Sequence, residues 1–143
     1  MADGKKEVPQ VSIKISPGEA LDRLAILGVK MNRVRDPKKR ARAAEAHAEL
    51  SSKLLRFCDQ ADTLDALGEP FKQLYVLHNT LWQVENTVRR CEQAQDFGAT
   101  FVQAARRVYD LNDERSTLKN KIDDMHGCPH EVKEYHGQEE ETR

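Results

Sequence analysis

An all-α fold is predicted: an elongated antiparallel helical hairpin within a four-helix assembly, with one short N-terminal strand. Three observations carry the prediction. Apolar residues recur at alternating steps of three and four through two long stretches, 71–94 and 99–126, the period of a helix with one buried face. Ser16-Pro17-Gly18-Glu19 and Asp36-Pro37 both read as helix starts. Only 38% of the 143 residues are hydrophobic, 33% are charged, and mean hydropathy is −0.75. Apolar side chains so few suit narrow helical stripes better than a broad core.

Residues 1–10 are polar, with Gly4 and Pro9, and read as a flexible leader. Val11, Ile13 and Ile15 alternate with Ser12 and Lys14, the period-2 pattern of a strand. No second strand follows, so this segment must pair with another chain or lie extended over a helical surface. Ser16 then opens a helix. Its hydroxyl is expected to accept from the Glu19 amide, the Glu19 carboxylate to reach back to the Ser16 amide, and Pro17 to occupy the first turn. Leu21, Leu24, Ala25, Leu27, Gly28 and Met31 trace one face of this helix to about Arg35. Asp36-Pro37 starts a second helix reaching about Leu64, with Leu50, Leu54, Phe57, Ala61 and Leu64 as its stripe.

Leu67-Gly68-Glu69-Pro70 reads as a break. Leu74, Leu77, Leu81, Val84, Val88 and Cys91 form the seam of a third helix. Asp96-Phe97-Gly98 turns the chain, with Phe97 expected to plug the hairpin end. The fourth helix carries Phe101, Ala104, Val108, Leu111, Arg115, Leu118, Ile122 and Met125, and Gly127 supplies its stop. A helix of 28 residues is about 42 Å long. Two such helices joined by a short loop form an antiparallel pair. The expected organisation is one domain over 11–127 and a flexible tail over 128–143 ending in Glu139-Glu140-Glu141.

Composition also limits function. No apolar run approaches the roughly 20 residues of a membrane span. The first fifteen residues lack a signal-peptide core, and three cysteines argue against a disulfide framework, so a cytoplasmic location is expected. Lys and Arg total 23 against 24 Asp and Glu, which excludes a wholesale basic nucleic-acid binder while leaving room for a local patch.

Five segments resemble a family of small bacterial proteins catalogued as a domain of unknown function. They are I-S-P-G-E-A-L-D-R-L-A-I-L (15–27), L-W-Q-V-E (81–85), R-R-C-E-Q-A-Q-D-F-G (89–98), V-Y-D-L-N-D-E-R-S-T-L-K (108–119) and E-V-K-E-Y (131–135). The resemblance implies a soluble, helical, bacterial-type protein and transfers no catalytic residues.

Three constellations bear on chemistry. His78, Trp82 and Glu85 share one helical face, and across the hairpin Asn112, Asp113 and Arg115 are expected near Trp82, Glu85 or Arg89. A Glu85–Arg115 pair would fix helix register. The alternatives are a polar cleft with Arg89 and Arg115 gripping an anion beside Trp82, or acid–base work by His78 and Glu85. Second, Arg33, Arg35, Lys38, Lys39, Arg40 and Arg42 form a basic turn opposed only by Asp36. It is either a solvated turn or a site for phosphate or an acidic partner; cations here oppose the second helix's macrodipole, so helix stability does not explain them. Third, His126, Cys128, His130 and His136 cluster, but their spacing matches no common zinc module. No nucleotide-loop, zinc-protease or nucleophile-elbow motif is present, and Asp96-Phe97-Gly98 lacks every other kinase element. The expectation is therefore a non-catalytic helical protein without cofactor that binds a protein partner or itself. A ligand-binding cleft or accessory enzyme is the alternative, and nucleic-acid binding through 33–42 the weaker one.

Overall fold

The computed structural model describes residues 7–61 and 64–130, and among them the regular elements are four helices: α1 (Pro17–Arg33), α2 (Pro37–Ala61), α3 (Leu64–Gln93) and α4 (Ala99–Met125). The predicted four-helix assembly is present. Residues 1–6 and the tail 131–143, including His136, lie outside the described residues.

The strand expected at 11–15 does not form. With no partner strand among the described residues, its backbone groups would gain nothing from the extended ladder geometry. Val11 and Ile13 are 89% and 69% exposed, and only Ile15 reaches the core.

α1 is the central helix. It packs on α2, α3 and α4, while α2 meets α3 only slightly. Three neighbours bury more than one stripe, which is why Ala20, Leu21, Asp22, Ala25 and Val29 are all buried. One apolar cluster joins Leu21 and Ala25 of α1, Leu54 and Cys58 of α2, Leu67 and Leu74 of α3 and Ile122 of α4. A second lies in the α3–α4 hairpin around Leu77, Leu81 and Leu111. The seam residues are as the periodicity predicts, except that Met125 is exposed.

Two boundaries need correcting or refining. The break at 67–70 is absent: α3 already begins at Leu64 and runs through Pro70. A proline inside a helix removes one backbone hydrogen bond and costs about 3 kcal/mol. Here Leu67 and Leu74 are buried, with Phe71 packed beside them, so one turn of core burial offsets that loss. The C-terminal ends of α3 and α4 share one device. Asp96 N–H donates to the Cys91 carbonyl, and Cys128 N–H to the Asp123 carbonyl, both at 2.9 Å. Between them stand Gln95 (φ 52°) and the predicted Gly127 (φ 64°), each in the left-handed conformation this closure requires. Phe97 does not plug the hairpin; it is half exposed and meets Phe101 edge-on at 5.2 Å.

Candidate functional site

A line of polar contacts runs beside α1. Ser16 Oγ accepts from the Glu19 amide at 3.2 Å, as the capping signal predicts. The reciprocal half of the box is replaced. Asp123 of α4 accepts from Ser16 Oγ at 3.0 Å and from the Gly18 amide at 2.8 Å, placing a carboxylate on the positive end of α1. Glu19 turns instead to Lys119 at 2.5 Å and Arg23 at 3.0 Å. Burial pushes the Glu19 carboxyl up, but hydrogen bonds and charge from Lys119 and Arg23 outweigh it and hold the group below its ordinary value.

One turn further, His78 Nε2 lies 2.7 Å from Asp22 Oδ1. The carboxylate can only accept there, so Nε2–H donates. His78 is 3% and Asp22 5% exposed. Arg115 Nε stands 3.5 Å from the same oxygen, and its Nη1 donates to Asn112 Oδ1 at 3.2 Å. Arg115 therefore does not pair with Glu85, which is exposed. His78 faces α1, so it forms no acid–base pair with Glu85 either. This buried cluster joins α1, α3 and α4 at a fixed register, a specifying role with little net stabilisation.

The remaining expected site residues divide differently from their sequence grouping. α1 ends at Arg33, and the short connection 34–36 is closed by Asp36, whose Oδ1 accepts from the Lys38 and Lys39 amides at 2.8 and 3.2 Å. Those backbone hydrogen bonds, Lys39's first, hold the Asp36 carboxyl below its usual range. This turn lies against α3, and between them is an open groove of about 880 Å³. Arg33, Arg35 and Lys39 line it from the turn; Trp82, Asn86, Arg89, Arg90 and Gln93 line it from α3. Five cations face one carboxylate, Asp36, which is already committed to the helix cap. Lys38, Arg40 and Arg42 are exposed and do not line the groove.

Arg33 and Asn32, which line the groove, are anchored by α3 residues outside the lining. Arg33 Nε donates to Asn79 Oδ1 at 2.8 Å, and Asn79 Nδ2 donates to the Tyr75 carbonyl at 3.2 Å. Asn32 Nδ2 donates to the Tyr75 hydroxyl at 2.8 Å. Arg33 is thus held in place before any ligand arrives, which lowers the ordering cost of binding. Asn79, Tyr75, Asn86 and Gln93 were not singled out from the sequence, yet a signal existed. Tyr75, Asn79, Trp82, Asn86, Arg89 and Gln93 follow one another at steps of four, three, four, three and four. This polar stripe has the period of the apolar seam, offset by about 150°, one and a half residues' turn.

Asn112, Asp113 and Arg115 lie away from this groove. Arg115 and Asn112 belong to the buried cluster, and Asp113 lines a second open groove between α3 and α4 floored by Leu77, Leu111 and Leu118. At the C-terminal end, His126 Nδ1 donates to the Ile122 carbonyl at 2.9 Å and its ring meets Phe57. His130 pairs with Asp124 at 2.5 Å. Among the described residues no three His, Cys, Asp or Glu side chains gather as a metal site. Cys58 and Cys91 are buried on their helices. No helix among the described residues is long and apolar enough to cross a membrane.

No family model matches the chain, and neither a curated protein nor a solved structure matches it significantly.

Proposed function

We propose that the protein is a non-catalytic binding protein for a phosphate-bearing anion, held in the groove between the α1–α2 turn and α3. The observation that carries this is the meeting of two cationic segments, 33–39 and 89–90, at one surface whose single carboxylate is used as a helix cap. Arginine forks match phosphate oxygens, and the fixed Arg33 supplies one of them in a set orientation. Titration calorimetry with inorganic pyrophosphate tests the reading. Saturable binding is expected, weakened about tenfold in Arg89→Ala and Arg35→Ala and falling with added salt. Absence of binding at millimolar pyrophosphate, or binding indifferent to both substitutions, would overturn it.

A second reading, self-association, has support from the α3–α4 groove. Its floor is apolar, Val76 beside it is 63% exposed, and its rim carries both signs, Glu69 and Asp110 with Lys72 and Arg107. A rim of both signs complements itself across a two-fold axis. The occupant proposed is a second copy of this chain. Light scattering at micromolar concentration should then return twice the mass of the chain, and Val76→Glu should return the monomer. A monomer in the unsubstituted protein would end this reading.

A further inference from the structure

The groove contains more than cations, and the rest of its lining points to the kind of phosphate it takes. Resting on the anion-binding reading above, we infer that the ligand is a mononucleotide carrying two or more phosphates. Its planar ring lies against Trp82 and its phosphates reach Arg33, Arg35, Lys39 and Arg89. Volume is the first ground. About 880 Å³ lies within the range of sites for whole small molecules, far beyond the need of one phosphate ion. The second is the half-buried Trp82 indole, set in the lining among cations. A ring stacked there removes apolar surface from water, while cations alone give no reason for an aromatic group.

Spacing is the third ground. Trp82 and Arg89 lie on one stripe of α3, seven residues and so about 10 Å apart along the axis. That separation lets a ligand keep its ring and its charge at different ends. The amides of Asn86 and Gln93 stand on the same stripe, donors and acceptors suited to a ring edge or a sugar hydroxyl. A polynucleotide is disfavoured by the same count, because successive bases want successive aromatic platforms and Trp82 is the one aromatic side chain in the lining.

Calorimetry on the full chain with ADP, UDP, pyrophosphate and a short oligothymidylate separates the outcomes. Nucleoside diphosphates should bind about tenfold or more tightly than pyrophosphate, the usual worth of one stacked base. Trp82→Leu should bring nucleotide affinity down to that of pyrophosphate, and Trp82→Phe should keep most of the advantage. Circular dichroism of both variants confirms folding, and Phe guards against loss of packing alone. Pyrophosphate bound as tightly as either nucleotide would overturn the inference while leaving the anion groove standing. Failure of pyrophosphate and nucleotides alike would remove both. Oligothymidylate bound more tightly than the nucleotides would replace the mononucleotide with a strand.

Discussion

Arg33 Nε donates to the Asn79 amide oxygen at 2.8 Å, tying the last residue of α1 to the middle of α3. The contact lets a turn rich in cations lie in one fixed place against the α3 face that carries Trp82 and Arg89. Asn79→Ala should therefore leave the fold intact but release the Arg33 guanidinium. Binding must then order that side chain itself, at about 0.5–1.5 kcal/mol, which predicts pyrophosphate binding weakened by up to roughly tenfold, read by calorimetry. Unchanged affinity would mean that Arg33 does not need to be held.

At Gly18 the backbone of α1 passes close against α4. A Cβ there would stand 2.4 Å from the Lys119 carbonyl oxygen and 2.7 Å from Asp123 Oδ1. The backbone oxygen cannot swing aside, so Gly18→Ala should cost about 1–3 kcal/mol, as overpacking does. Gly68, exposed on α3 with open space at its Cβ, predicts the opposite sign. Gly68→Ala should stabilise by about 0.5–1 kcal/mol. Urea unfolding of the two variants checks both signs together.

Asp22 holds His78 and Arg115 at once. Asp22→Ala leaves the buried His78 imidazole without its acceptor and takes the carboxylate from beside the partly exposed Arg115, and should destabilise by about 1–3 kcal/mol. A loss below 1 kcal/mol in urea unfolding would show that the cluster is held by other means.

These three sites were unequally legible in the sequence. Ser16-Pro17-Gly18-Glu19 announced a helix start because capping is a local matter, and the α3 and α4 seams announced themselves by period. Asp22 did not, since a single carboxylate between Leu21 and Arg23 reads as solvent-facing until three neighbours surround α1. Pro70 and Gly68 read as a break, yet tertiary burial of Leu67 and Leu74 overrode them. Trp82, Arg89 and the turn 33–42 were each visible, but their meeting depends on which face of α3 the turn lies against. That placement rests on contacts between distant residues, Gly28 with Tyr75 and Arg33 with Asn79, which the periodicity of either helix alone does not pair. Arg115 stands out as a polar residue in a seam, but its carboxylate partner, Asp22, lies on α1 and not across the hairpin.

Glu19 gives the fold an acid limit. Its folded pKa lies below the ordinary 4.5, so folding favours the ionised form. That contribution is complete above the unfolded value and is lost as pH falls through the folded one. Glu19→Gln removes the contribution, and its stability should decline less steeply than the unsubstituted protein's as pH drops below about 4.5. Thermal melts from pH 6 downward make the comparison. Parallel curves would mean that the Lys119–Glu19 pair does not couple to folding.

The anion groove itself is tested most directly by residue-resolved amide chemical shifts during a pyrophosphate titration. Saturable shifts are predicted for residues 32–39 on the turn and 82–93 on α3, with the α4 amides at 107–118 still. Shifts that never saturate, or that gather on the α3–α4 groove at 107–118 while 32–39 stay fixed, would contradict the account.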